Sequence, residues 1–131
     1  MNLILARTKY IQDHKVQVNE IADPHTTVLL VMQELNKNLR KIADPANRKA
    51  QLKTQFTNAF TTIYILQTSL DFTRGGEIAE NLFRLYEYCR LQLLKAFARN
   101  PDHNLETCVV LLDEIIQAWE GIGPASGGSP S

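Results

Sequence analysis

Proline and glycine cut this chain into stretches of helical length, and that punctuation constrains the fold more than any other feature. Asp23-Pro24, Asp44-Pro45, Gly75-Gly76 and Asn100-Pro101 break it at intervals. Between the breaks, apolar residues recur at three- and four-residue steps, the spacing that aligns side chains on one face of an α-helix. No stretch of strand length alternates with period two, so no sheet is expected.

The first helix begins with Asp23 as N-cap and Pro24 at the first helical position, where a missing N–H costs nothing. Its stripe is Val28, Val31, Met32, Leu35, Leu39 and Ile42. A second helix is expected from Asp44-Pro45 to about Ser69, with Leu52, Phe56, Ala59, Phe60, Ile63, Leu66 and Leu70 as its stripe. So tight a link makes these two helices antiparallel neighbours.

The third helix is expected from near Gly76 to near Asn100. Its stripe is Ile78, Leu82, Leu85, Tyr86, Cys89, Leu93 and Ala96, with Phe97 at the end. Gly75-Gly76 reads as the reversal before it, one glycine left-handed and the other letting the chain turn. Glu77 then sits in a first turn, favoured by the helix dipole. A phosphate loop is the poorer reading, because no strand precedes it, no P-loop lysine follows and Glu77 repels an anion. The fourth helix runs from about Asn104, its N-cap, to Gly121. Glu106 lies in its first turn and its stripe is Leu105, Cys108, Val109, Leu112, Ile115, Ile116 and Trp119.

These segments predict an all-α, antiparallel up-down four-helix bundle, with residues 1–122 as one domain. Residues 1–22 read as a short N-terminal helix or strap carrying Leu3, Ile4, Leu5, Tyr10 and Ile11. Residues 123–131, built of Gly, Ser, Pro and Ala, read as a disordered tail.

Composition narrows the function classes. Fourteen basic and fourteen acidic residues cancel, whereas a nucleic-acid or anionic-membrane binder needs a cationic surplus. No apolar run approaches the roughly 20 residues that span a bilayer, and the patch Leu3–Ala6 has neither the basic flank nor the length of a signal peptide. His14, His25 and His103 lack a second ligand at helical spacing, so no metal or other cofactor is expected. Cys89 and Cys108 fall on core faces and read as packing residues in a cytosolic protein. Glu80 and Glu87 alternate with Arg84 and Arg90, the pattern of a solvated, charge-paired face and not of a catalytic dyad. No catalytic constellation emerges.

The informative feature is a surplus of apolar residues. Phe83 and Leu94 fall one step beyond the core stripe of the third helix, Leu91 points nearly opposite it, and Tyr88 lies on the other flank. On the second helix Tyr64 flanks the stripe and Ile65 points away from it. Leu29, Leu30, Val110 and Leu111 are off-stripe on the outer helices. Clustering of this kind suggests a second buried surface. It leaves three coverings open: the N-terminal segment, a second copy in a weak homodimer or adaptor bundle, or a partner helix laid in a groove.

The run Ser69-Leu70-Asp71, Gly75-Gly76-Glu77-Ile78-Ala79, Asn81-Leu82 and Leu85-Tyr86-Glu87-Tyr88 resembles the signature of the flagellar secretion chaperones, the FliS family. Looser similarity extends over residues 10 to 122, including the Asp-Pro-His start of the first helix and the tryptophan near the end of the last. Where the family usually has an aromatic-acidic-Gly-Ala run, this chain reads Met32-Gln33-Glu34-Leu35. The resemblance implies a helical bundle that binds the disordered C-terminal segment of flagellin in the cytosol, holds it from early polymerisation and helps hand it to the export apparatus. It also implies that the N-terminal segment covers part of the client surface when no client is bound. Tyr64, Ile65, Phe83, Tyr88, Leu91 and Leu94 are the expected partner-binding residues. Leu3, Ile4, Leu5, Tyr10 and Ile11 are the expected strap.

Overall fold

The computed structural model describes residues 23–122 of the 131-residue chain. The expected strap residues Leu3, Ile4, Leu5, Tyr10 and Ile11 and the expected tail lie outside the described residues.

Helix α1 spans Pro24–Ala43. Asp23 caps it as expected: its carboxylate accepts the Thr26 amide at 2.8 Å, a bond that holds the Asp23 pKa below its ordinary value. The helix ends where Pro45 forces Asp44 out of the α region, to φ −69°, ψ 117°.

The next helix does not begin at Pro45. The Asp44 carboxylate accepts the Ala46 amide and its carbonyl the Asn47 amide, which closes a local turn. A 3-10 turn at Lys49–Gln51 follows, and α2 runs only over Lys53–Thr68. The physical reason lies in the residues between: from Pro45 to Gln51 the apolar side chains, apart from the proline ring, are the two small ones Ala46 and Ala50, and the first large anchor is Leu52, 6% exposed.

Helix α3 spans Phe72–Phe97 and α4 spans Leu105–Ile122. The chain leaves α2 at residues 69–71, and a second reversal falls at the glycines, where Gly76 takes the positive φ expected there. Asp71 caps a first turn by accepting the Arg74 amide at 3.0 Å. Gly76 then breaks the helix from inside, at φ 51°, ψ −124°, a conformation that side chains with a Cβ rarely adopt. Gly75 is needed for another reason: a Cβ there would come within 2.9 Å of the Ala79 Cβ.

No strand occurs among the described residues. Helix α1 packs against α2 and α4, and α3 closes the ring by packing against the same two. Neighbours run antiparallel. His25 meets Trp119 and Arg40 meets Asp113 across α1–α4; Phe56 meets Phe97 and Gln67 meets Glu87 across α2–α3. The described chain is thus the expected up-down bundle.

Met32, Leu35, Leu39 and Ile42 of α1, Ile63 of α2, Leu93 of α3 and Leu105 and Leu112 of α4 are all fully buried. Burial of such a side chain contributes roughly 1.5–3 kcal/mol. Tyr86 is buried among them, and desolvation, reinforced by Cys89, raises its pKa so that the hydroxyl stays neutral.

Three apolar placements differ from the periodicity reading. Ile78, placed on the core stripe, is 68% exposed two residues after the break at Gly76, while Ala79 beside it is buried. Phe97 is 61% exposed and meets the Phe56 and Phe60 rings in edge-to-face geometry. Ile65, expected to point outward, is 5% exposed. It extends a second buried line on α2 in which Thr62 is buried and Asn58 and Thr61 are half-buried. These small polar residues are invisible to a search for apolar stripes, which is why the line was missed.

Candidate functional site

The candidate site is the flank of α3 that faces α2. Phe83, Glu87, Arg90, Leu94 and Phe97 follow one another at three- and four-residue steps and so share one line along α3. Two members fix its direction. Gln67 of α2 donates to Glu87 at 3.1 Å, and the Phe97 ring contacts Phe56 and Phe60 of α2 at centroid distances of 5.3 and 6.3 Å. The line on α2 is Phe60, Tyr64 and Gln67. Because Phe60 lies against Phe97 and Gln67 against Glu87, the antiparallel register sets Tyr64 level with Leu91 and Leu94.

Four of the six expected partner-binding residues gather there with their rings and side chains open to solvent: Tyr64 at 45%, Phe83 at 39%, Leu91 at 45% and Leu94 at 41% exposed. Phe97 joins them, a residue that periodicity assigned to the core. Ile65 is not among them, being buried. Tyr88 is half-buried against the core. It lies four residues before Gln92, whose side chain accepts the Asn104 amide at the start of α4, so Tyr88 belongs to the α3–α4 side and is separate from this flank.

One polar latch crosses the apolar flank. Arg90 clamps the Glu87 carboxylate through Nε and an Nη, the Nε contact at 3.0 Å, while Gln67 donates to the same carboxylate. The Arg90 contact first, and Gln67 second, hold the Glu87 pKa down at about 2. The latch stays ionised under ordinary conditions and marks a fixed polar point between Phe83 on one side and Leu91 and Leu94 on the other.

The sequence reading missed Phe72, which is 47% exposed. Its ring meets Phe83 edge-on, with centroids 6.0 Å apart and planes at 62°. Asp71 carried the signal: read as an N-cap, it starts α3 at Phe72 instead of near Gly76.

The opposite α1–α4 seam is of a different kind. Asp113 accepts from Asn36 at 2.7 Å and pairs with Arg40, and Gln33 donates to Glu120. At the seam's end the Trp119 indole donates to the His25 carbonyl at 2.9 Å, His25 Nε2 meets the Trp119 carbonyl, and the two rings stack 7° from parallel. Two shallow hollows of about 440 and 290 Å³ open along this seam, the first lined by Arg40, Ala43, Asp44, Pro45, Glu106, Val109 and Val110. Asn36 Oδ1 and His103 Nδ1 are buried there and in the α3–α4 turn without a hydrogen-bond partner.

Cys89 and Cys108 are buried free thiols facing each other between α3 and α4. Its contact with Cys108, together with burial, drives the Cys89 pKa far up. A thiol held neutral in this way packs as a small hydrophobe and is a poor nucleophile. Among the described residues no group of three His, Cys, Asp or Glu side chains could hold a metal ion, and no helix is long and apolar enough to cross a membrane.

Fold and flank together define a helical bundle with an open apolar side crossed by one charged latch. The family model described as flagellar protein FliS matches residues 6–126, and the chain belongs to that family of flagellar secretion chaperones. It is 35% identical over 111 residues to flagellar secretion chaperone FliSB of Pseudomonas aeruginosa, covering 82% of this chain and 86% of that protein. It is 44% identical over 59 residues to flagellar secretion chaperone FliS of Salmonella typhimurium, covering 45% of this chain and 44% of the relative. Its identity to the Vibrio cholerae FliS is 29% over 105 residues, covering 79% and 77%. No solved structure matches it significantly.

Proposed function

We propose that this chain is a cytosolic export chaperone that binds the disordered C-terminal segment of flagellin, keeps it from polymerising early and presents it to the flagellar type III export apparatus, with no catalysis of its own. The observation that carries this reading is the open flank of α3, where Phe83, Leu91, Leu94 and Phe97 lie exposed beside Tyr64 of α2. An amphipathic client segment that folds as it docks recovers the cost of its ordering by covering apolar surface, on the order of 1,000–3,000 Å² in total. The Glu87–Arg90 pair sets the register of a client whose polar groups must meet it. Leu3, Ile4, Leu5, Tyr10 and Ile11 are the residues proposed to cover part of this surface in the absence of a client.

Calorimetric titration with a peptide from the C-terminus of the organism's own flagellin tests the reading. Wild-type protein is expected to bind, while Phe83→Asp and Leu91→Asp each weaken binding by about tenfold or more, since a charge would be buried where an apolar group belongs. Their helical circular dichroism is expected to be unchanged, because both side chains are exposed in the free chain. Unchanged affinity in both variants would place the client elsewhere. Sedimentation of the free protein as a stable dimer that the peptide cannot dissociate would favour a homodimeric adaptor instead.

A further inference from the structure

The Phe72–Phe83 contact is not one that a continuous helix allows. Eleven residues of α-helix advance about 16 Å, yet these two ring centroids lie 6.0 Å apart. The break at Gly76 folds the first turn of α3 back along the helix and lays Phe72 on Phe83. That first turn is a self-contained unit. The Asp71 carboxylate accepts the Arg74 amide at 3.0 Å and the Asp71 carbonyl accepts the Gly75 amide at 2.7 Å. On one side it is joined to α3 through a glycine in a conformation open mainly to glycine; on the other it is joined to α2 through Leu70 and its N-cap Asp71, neither of which is helical. Besides the close approach of Gly75 to Ala79, the ring contact is what ties the unit to α3, and both rings remain partly exposed, Phe72 at 47% and Phe83 at 39%.

We infer that residues 72–75 form a hinged flap, swinging on Gly76, whose Phe72 ring occupies in the free chain the place on Phe83 that an apolar side chain of the client takes in the complex. The inference rests on the proposed function and assigns a residue-level device to its binding face. The flap keeps Phe83 from being bare in the free protein. Docking replaces one edge-on aromatic contact with a contact from the client, so the flap lowers affinity by the strength of the contact displaced. It thereby discriminates against segments with no large apolar residue at that register, which gain nothing by lifting Phe72.

The test is calorimetry of the full chain with the flagellin C-terminal peptide. Phe72→Ala removes the placeholder and is expected to tighten binding about two- to tenfold, the range set by one aromatic pair. Phe72→Leu, which keeps apolar bulk, is expected to fall between Phe72→Ala and wild type. The gain is expected to vanish when Phe83→Ala is also present, because Phe72 acts through Phe83. Unchanged affinity in Phe72→Ala overturns the flap, and weakened affinity makes Phe72 a client contact, which overturns it equally. Either result leaves the docking face standing as long as wild type binds. If neither wild type nor any variant binds the peptide, the proposed function falls and the flap's role falls with it.

Discussion

At the scale of single residues, the clearest departure from ordinary backbone geometry outside the glycines is Arg99, at φ 62°. It closes α3. The Asn100 amide reaches back to the Lys95 carbonyl at 2.8 Å and the Arg99 amide to the Ala96 carbonyl at 3.0 Å. This paired closure wants a left-handed residue just past the helix, usually glycine. Arginine bears the Cβ–carbonyl clash that glycine avoids. Arg99→Gly is therefore expected to raise stability by about 1 kcal/mol, partly offset by the greater freedom of glycine in the unfolded chain, and urea unfolding followed by circular dichroism measures it. Glu87 gives a second residue-scale expectation. Its folded pKa, at about 2, lies below the ordinary value of 4.5. The stabilisation from its ionised form is fully present above about 4.5 and is lost as the pH falls from there towards 2. With the Glu87 side chain 35% exposed, solvent screening holds that contribution to within about 1 kcal/mol. The melting temperatures of wild type and Glu87→Gln are expected to differ above pH 4.5 and to converge near pH 2.

At the scale of elements, the four stripes were legible because each helix buries large apolar residues at regular steps, and Leu35, Leu39, Ile63, Leu93 and Leu112 all fall where the periodicity puts them. What was not legible has identifiable causes. Asp44-Pro45 reads as a helix start, but here it ends α1 and the Asp44 side chain closes a turn, so α2 starts later than its sequence suggests. The glycine break before the long part of α3 is legible, and Gly76 has the expected positive φ; the extra turn in front of it is signalled by Asp71, five residues earlier. Ile65 was misread because its buried line runs through Asn58, Thr61 and Thr62, which periodicity counts as polar. The exposed apolar flank proposed as the binding face was partly legible for the same reason that the core was: surplus apolar residues at Phe83, Leu91 and Leu94 follow the helical step, one position over. Phe72 and Phe97 were not, since their exposure depends on a kink and on a helix end.

At the scale of the whole molecule, the ring of four helices is closed differently on its two sides. The α2–α3 side carries the open apolar flank, and the α1–α4 side is fastened by Asp113, Arg40 and Asn36 and by the His25–Trp119 clasp. Trp119→Ala removes a ring stack, an indole hydrogen bond and a half-buried side chain at once. It is expected to cost about 3 kcal/mol, the low end for tryptophan, seen as a marked fall in melting temperature, and an unchanged melting curve would show that the clasp is idle. The clasp has one more consequence. Trp119 is the chain's single tryptophan, stacked on an imidazole on the side of the bundle away from Phe83 and Leu94. Intrinsic emission from the unlabelled protein is thus an optical gauge of where the first helix begins and the last one ends, and it is blind to a guest that settles between the other two.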